Sequence, residues 1–216
     1  EIGEPNLKIE NTLGLESSIE YITGKSDIRF TLYHNYSPNY HISTALGNEY
    51  LTGADYIEWG SGSAGWLYKY QMKGLETKIY GFESEIDYNL TKNIKIFTSL
   101  SISRGENLSE KIPLSYMPPD KFILSAELNL NPFTMDLIYK QALKQSRLGE
   151  FERPTNGYSI FDLNTSYTRN SERLMHKFIL GVENIFNREY YNHLSRIKKI
   201  MPEKGRSINV QYRLIF

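Results

Sequence analysis

The sequence predicts an all-β protein, an antiparallel transmembrane β-barrel wall. Three observations carry this. The last residues, Arg206-Ser-Ile-Asn-Val-Gln-Tyr-Arg-Leu-Ile-Phe216, place Ile208, Val210, Tyr212, Leu214 and Phe216 on one strand face and Asn209, Gln211 and Arg213 on the other. The same alternation recurs along the chain. The connections between alternating segments are short and long in strict turn, as in outer-membrane barrels with tight periplasmic turns and long extracellular loops.

Period-2 alternation and turn signals predict strands near 9–22, 27–43, 66–90, 93–106, 121–130, 133–148, 157–169, 175–189 and 206–216. The first ends at the turn Thr23-Gly-Lys-Ser-Asp27. The second presents Ile28, Phe30 and Leu32 outward. The third presents Tyr80, Phe82, Ile86, Tyr88 and Leu90, with Glu83, Glu85, Asp87 and Asn89 opposite. The fourth follows Thr91-Lys-Asn93. The fifth alternates Phe122, Leu124, Ala126, Leu128 and Leu130 with Ser125, Glu127 and Asn129. Asn131-Pro132 turns it into the sixth, where Phe133, Met135, Leu137 and Tyr139 oppose Asp136 and Lys140. Phe161, Leu163 and Tyr167 carry the seventh, opposite Asp162 and Asn164. After Asn170-Ser-Glu-Arg173, Phe178, Leu180 and Val182 carry the eighth. Long connections span 44–65, 107–120, 149–156 and 190–205.

A charge on every second position needs water on that side. A β-sandwich with one solvated face has the same alternation, but a Greek-key sandwich has no reason to alternate short and long connections. Nine strands is an odd count, whereas single-chain bacterial barrels are even, and open edges do not persist in hydrocarbon. The chain is therefore expected to be the C-terminal part of a larger barrel; a mis-split hairpin is the competing reading.

Composition narrows the classes. The chain has 25 basic and 25 acidic residues, so no charge excess argues for a nucleic-acid partner. Mean hydropathy is −0.48, and no apolar run approaches the ~18 residues of a membrane helix. Barrel strands, only half apolar, escape that criterion. Tyrosine is abundant at 17 copies, as at membrane interfaces and in binding loops. Cysteine is absent, which excludes disulfides and thiolate metal sites. The N-terminal residues form no signal peptide, so an exported chain of this kind is expected to be mature or truncated.

Four strings then point to a family. Gly181-Val-Glu-Asn-Ile-Phe-Asn-Arg-Glu-Tyr-Tyr-Asn-His-Leu194 resembles the penultimate-strand signature of TonB-dependent outer-membrane transporters. Pro202-Glu-Lys-Gly-Arg-Ser-Ile-Asn-Val210 resembles the string that leads into their last strand, with Lys204 in place of a proline. Lys78-Ile-Tyr-Gly-Phe-Glu-Ser-Glu85 and Glu4-Pro-Asn-Leu-Lys-Ile-Glu10 resemble two mid-barrel strings, in the family's order. The resemblance implies that residues 1–216 are the C-terminal portion of a barrel of 22 strands, plugged by an N-terminal domain that this chain does not include. It implies a Gram-negative outer membrane with its lipid and lipopolysaccharide, and uptake of a scarce nutrient or metal chelate such as a ferric siderophore, haem or cobalamin. It also implies partnership with the TonB-ExbB-ExbD complex through the N-terminal region, and with the remaining barrel and plug. By the same resemblance, Phe216 reads as a closure and assembly signal.

Candidate ligand contacts lie in the outer connections. His41 stands beside Tyr33, Tyr36 and Tyr40, where the second strand meets the first long connection. Tyr and His both serve as haem-iron ligands, and an interfacial aromatic girdle explains the same residues. Tyr56 and Trp59, with Tyr50, Asp55 and Glu58, form an aromatic loop suited to capture or to acting as a lid. The candidate substrate contacts are thus His41, Tyr40, Tyr56 and Trp59. Glu83, Glu85 and Asp87 are either a guide for a cationic substrate or a wall paired with neighbouring bases. His193 is expected to pack the last connection, and His176 to sit solvated at a periplasmic turn. Met117-Pro118-Pro119-Asp120 stiffens one outer connection. Lys204 and Arg206 at the top of the last strand suit an interfacial role or contact with lipopolysaccharide phosphates. No catalytic constellation, metal site or cofactor motif is present in the sequence, so nothing argues for an enzyme. A passive porin or structural outer-membrane barrel, and a soluble Tyr-rich β-sandwich binding module, are the alternatives.

Overall fold

The computed structural model describes residues 3–45, 56–58, 66–68, 70–150, 152–198 and 200–216. The strands are β1 (Leu13–Ile22), β2 (Ser26–Ala45), β3 (Tyr56–Glu58), β4 (Trp66–Tyr68), β5 (Tyr70–Asn89), β6 (Ile94–Asn107), β7 (Ile112–Pro113), β8 (Lys121–Leu130), β9 (Phe133–Ala142), β10 (Tyr158–Asn170), β11 (Met175–Glu183) and β12 (Ser207–Ile215). One antiparallel sheet runs β1-β2-β5-β6-β8-β9-β10-β11-β12, with β7 pairing β6 at one end. Each long strand therefore pairs with its predecessor and successor, as in an up-and-down wall. Strands β3 and β4 form a separate ribbon inside the connection between β2 and β5. No helix among the described residues is long and apolar enough to cross a membrane, which says nothing against strands doing so.

Register decides which residues share a face. Ile19 pairs Phe30, Phe30 pairs Ser84, Leu100 pairs Phe122, Leu124 pairs Tyr139, Tyr139 pairs Phe161, and Phe178 pairs both Tyr167 and Tyr212. The predicted outward residues within the strands fall on this one face; Leu90 and Phe216 lie just past the ends of β5 and β12. Glu20, Arg29, Glu85, Ser99, Ser125, Ile138, Asp162 and Asn164 fall on the other. On the apolar face, the run from Tyr80 to Tyr88 spans roughly 26 Å at about 3.3 Å per residue. That is close to the ~25 Å apolar band of a membrane barrel, before strand tilt shortens it.

The sheet does not fold onto itself. Val210 is 81% exposed and Leu15 is 74% exposed on the apolar face. Buried apolar side chains among the described residues are few: Leu75, Leu114, Ala142 and Ile160. A sandwich would hide the apolar face beneath a second layer; here lipid is the medium that suits it. Cross-strand rings stabilise it locally. Phe133 lies 4.9 Å from Tyr167, Tyr139 lies 4.9 Å from Phe161, and Phe178 lies 5.0 Å from Tyr212.

The short turns lie between β1 and β2, β5 and β6, β8 and β9, and β10 and β11. Thr23 and Thr91 close two of them, their hydroxyls accepting the Ser26 and Ile94 amides at 2.9 and 3.0 Å. Several strand ends differ from expectation. The first strand begins at Leu13 rather than residue 9, although Thr12 still reaches Ser37 across the ladder. The expected strand 66–90 is divided: β4 belongs to the small ribbon, and β5 begins at Tyr70. Strand β9 stops at Ala142, where Gly157 passes close to the Ala142 carbonyl; beyond it the pairing continues as one bridge, Gln145 to Thr155. Strand β11 stops at Glu183, because Asn184 takes φ 50°, a conformation Asn tolerates. A bulge at Pro38 and Asn39 shifts the β2–β5 register between Ser37 and Tyr40, a position that suits a residue without an amide proton.

Candidate functional site

The polar face is built from paired charges. Arg29 pairs with Glu20, and its guanidinium lies 3.6 Å from Glu85. Lys95 lies 2.7 Å from Asp87. The ladder Glu83, Glu85 and Asp87 is thus largely a wall neutralised by neighbouring strands, while Glu83 sits between Thr31 and Ser101. Among these paired charges, Asp162 is the buried carboxylate. Lys140 Nζ lies 2.7 Å from its carboxylate, which also accepts the Asn184 amide at 2.7 Å. Asn184 then accepts from the Arg188 amide at 2.9 Å and donates to the Arg188 carbonyl at 2.8 Å. The string that begins at Gly181 is therefore a strand end locked to the wall by Asp162.

Glycines on this face admit larger neighbours. The Tyr33 ring covers the space a side chain at Gly81 would need. Gly105 does the same for Met117, whose Sδ would stand 2.6 Å from an added Cβ. Met117 is anchored in turn: Gln145 donates to the Met117 and Pro118 carbonyls at 3.0 and 3.1 Å. Asp120 takes a two-pronged contact from Arg104, at 2.5 and 2.8 Å. The β6–β8 connection is thereby tied down at Met117, Pro118 and Asp120, just before β8 begins.

At the long-connection end lies a cleft of about 440 Å³. Tyr40, His41 and Ile79 contribute one side, and Leu114, Tyr116 and Met117 the other; Glu150 and Glu152 complete it. Tyr40 and His41 are two of the four predicted contacts. The His41 ring is already engaged: Nε2 lies 2.7 Å from the Lys8 carbonyl, and Nδ1 lies 3.7 Å from Glu10. Its amide donates to Glu10 at 3.0 Å. A histidine so held is a poor axial ligand for haem iron, because both ring nitrogens face the chain's own oxygens. Tyr56 opens β3 in the connection between β2 and β5. Trp59 lies outside the described residues. Among the described residues, no group of three His, Asp or Glu side chains could hold a metal ion.

Behind the cleft is a buried polar cluster that the residue-by-residue reading did not find. His193 is 1% exposed. Its Nδ1 lies 2.9 Å from the Thr155 hydroxyl, and its Nε2 stands 2.8 Å from the Glu152 carboxylate without hydrogen-bond geometry. Lys198 Nζ lies 3.6 Å from Glu152 and donates to the His193 carbonyl at 2.7 Å. Burial pushes the His193 imidazole below its ordinary value; Lys198 pushes the same way, and Glu152 opposes both. The string ending in Asn192-His193-Leu194 was the available signal, but nothing in it named Glu152 or Lys198 as partners.

The remaining predicted residues sit as follows. His176 is not merely solvated: its Nδ1 lies 2.8 Å from the Tyr212 hydroxyl. His34 stacks on Tyr80 at 6.3 Å. Lys204 pairs with Glu183. The Arg206 amide donates to Asn187 at 2.9 Å, tying the last strand to the turn after β11.

A one-layer wall of antiparallel strands, apolar on one face and polar on the other, with short turns at one end and a cleft at the other, is a segment of a membrane β-barrel. The chain belongs to the family described as TonB dependent receptor-like, beta-barrel, which it matches over residues 1–185. Solved structures agree in fold. The copper transporter OprC superposes with TM-score 0.77 at 22% identity, covering 94% of this chain and 31% of that one. The iron transporter FrpB of Neisseria meningitidis gives 0.68 at 15% identity, covering 95% and 30%. The pyoverdine outer membrane receptor FpvA of Pseudomonas aeruginosa, bound to pyoverdine, gives 0.68 at 19%, covering 97% and 30%. The chain thus spans less than a third of the length of each, and is part of a barrel. The family is one of outer-membrane receptors and transporters rather than enzymes.

Proposed function

We propose that this chain is the wall of an outer-membrane receptor that takes up a scarce nutrient or metal chelate, energised through TonB with ExbB and ExbD. The single observation that carries the reading is one register with two opposite faces across nine strands: apolar outward, polar and ion-paired inward. Such a wall separates lipid from a wet lumen. Family membership adds the energised partner, which would act through the plug and TonB-contacting box of the whole receptor. The structural relatives are a copper transporter, an iron transporter and a pyoverdine receptor; ferric siderophores, haem and cobalamin are the cargoes that the family resemblance suggests for this chain. Tyr40 and the exposed edge of His41 are proposed to meet ligand in the cleft, with Tyr56 and Trp59 contributing from the adjoining connection. No catalytic role and no nucleic-acid partner belong to this reading.

The test is accumulation of labelled ferric siderophore, haem, cobalamin or copper by cells carrying the complete receptor, with and without TonB. Accumulation of one of these that requires TonB is the expected result. Equal accumulation without TonB, together with steady ion conductance through the purified complete barrel, would make it a passive porin. Monodispersity of the complete protein in plain buffer would overturn the membrane assignment altogether.

A further inference from the structure

Three outer connections meet at one buried carboxylate. Glu152, whose side chain is 4% exposed, lies in the β9–β10 connection. Its Oε2 accepts the Gly149 amide at 3.2 Å, within the same connection. Its Oε1 accepts the Tyr116 amide of the β6–β8 connection at 3.0 Å. The same oxygen faces His193 and Lys198 of the β11–β12 connection at 2.8 and 3.6 Å. The backbones also approach closely: Ser115 passes over Gly149, where no side chain fits. Its hydroxyl donates to the Glu150 carbonyl at 3.3 Å.

Tyr116 is the residue this arrangement holds. It has φ 60°, a left-handed conformation that a tyrosine rarely adopts, yet it is 56% exposed at the cleft. Such a conformation is strained for a residue with a side chain and persists only where surrounding contacts fix it. Two contacts do so here. Glu152 holds the backbone amide, and Lys198 Nζ stands 5.9 Å from the ring centroid, on its face.

We propose that Glu152, clamped by His193 and Lys198, is the positioning residue of the mouth cleft: it sets Tyr116 against the cleft and joins the three outer connections into one rim that acid releases. The proposal rests on the uptake reading for its purpose, but not for its test. His193 is faced by Glu152 and Thr155 from one connection and by Lys198 from its own; Lys198 in turn reaches Tyr116 on the third. Glu150 and Arg153 flank Glu152 in sequence. Because burial lowers the His193 pKa, the folded rim holds the neutral ring. The clamp is complete above the ordinary imidazole value of about 6.5 and is lost as pH falls through the lowered one. The added proton places a second cation beside Lys198 where water does not reach.

The experiment is amide hydrogen exchange on the complete receptor in detergent, corrected for intrinsic rates, from pH 8 to pH 5. In the native protein, protection of 112–117, of 149–150 with 152–155, and of 193–198 should fall together, about tenfold or more, below the imidazole range. His193→Gln should remove the pH step. Lys198→Met should move it to higher pH, since Lys198 disfavours the imidazolium. Glu152→Gln should lower protection in all three segments at every pH, while the strands keep theirs. A native rim with no pH step, segments that lose protection independently, or a His193→Gln step like the native one would overturn the proposal. If His193→Gln does not assemble, the Lys198→Met shift alone decides. No ligand enters the measurement, so it can succeed or fail whatever the uptake assay shows.

Discussion

The Tyr33 ring lies directly across Gly81, its cross-strand partner, and fills the space a side chain there would take. The glycine of the string Lys78-Ile-Tyr-Gly-Phe-Glu-Ser-Glu85 is thus half of an aromatic–glycine pair on the polar face. A large ring covers backbone that glycine would otherwise leave bare. Gly81→Val should displace Tyr33 and cost about 1–3 kcal/mol, the usual range for overpacking. Thermal unfolding of the complete barrel, read by heat-modifiable gel mobility, should show the loss. Gly81→Val combined with Tyr33→Ser should recover much of it, because the ring is what the side chain meets. Failure of the second change to rescue would mean that the Ile102 carbonyl, which also borders the site, sets the limit.

The two faces should respond oppositely to charge. Leu180 pairs Thr165 and Val210 on the apolar face, and Ser166 pairs Thr134 and Ile179 on the other. Leu180→Arg should cost about 2–4 kcal/mol if the residue sits near the membrane midplane. Ser166→Arg should cost far less, since the lumen side is wet. Equilibrium unfolding of the complete receptor from lipid vesicles compares them; equal costs would remove the lipid assignment of the apolar face.

Asp162 joins Lys140 to the turn that ends β11. Asp162→Asn would remove the charge that answers Lys140 and weaken acceptance of the Asn184 amide. Lys140 is partly exposed, so solvent moderates the effect. A loss of about 1–3 kcal/mol is expected. Amide exchange should rise at residues 184–188, whose hydrogen bonds follow from that amide, before it rises in β9.

Tyr116 offers a separation of backbone from ring. Tyr116→Gly keeps the left-handed backbone at no steric cost and keeps the amide that Glu152 accepts, but it loses the ring contact with Lys198 and loosens the unfolded chain, so protection of residues 112–117 should change little. Ligand affinity should nonetheless fall if the ring contacts cargo. Calorimetry on the complete receptor with its transported ligand reads this, and unchanged affinity would take Tyr116 out of the binding surface.

Much of the fold was legible because a strand's period is local. Ile208, Val210, Tyr212 and Leu214 declare their common face from spacing alone, and so do Phe122, Leu124 and Leu128. Thr23, Asn131 and Ser171 mark short turns by their own chemistry. Strand ends were less legible. That Trp66 belongs to a side ribbon, or that the wall stops at Ala142, depends on which residues the connection brings back against it. At the candidate site, Tyr40 and His41 were found by composition and position. The engagement of His41 with Lys8 and Glu10 was not, because those partners lie more than thirty residues away along the chain.

The sequence by itself determined the class of the protein: an alternating wall, its two faces, its order of short and long connections, and the strings that resemble one family. Only the tertiary structure decided which residues the long connections bring together. Glu152, His193, Lys198 and Tyr116 carry no shared period and no motif spacing. They meet because nine strands in consecutive register carry three separate connections to the same end of the wall. There burial turns a carboxylate, an imidazole and an ammonium into one coupled group. Alternation needs only neighbours along a strand, whereas that cluster exists only once the sheet has assembled.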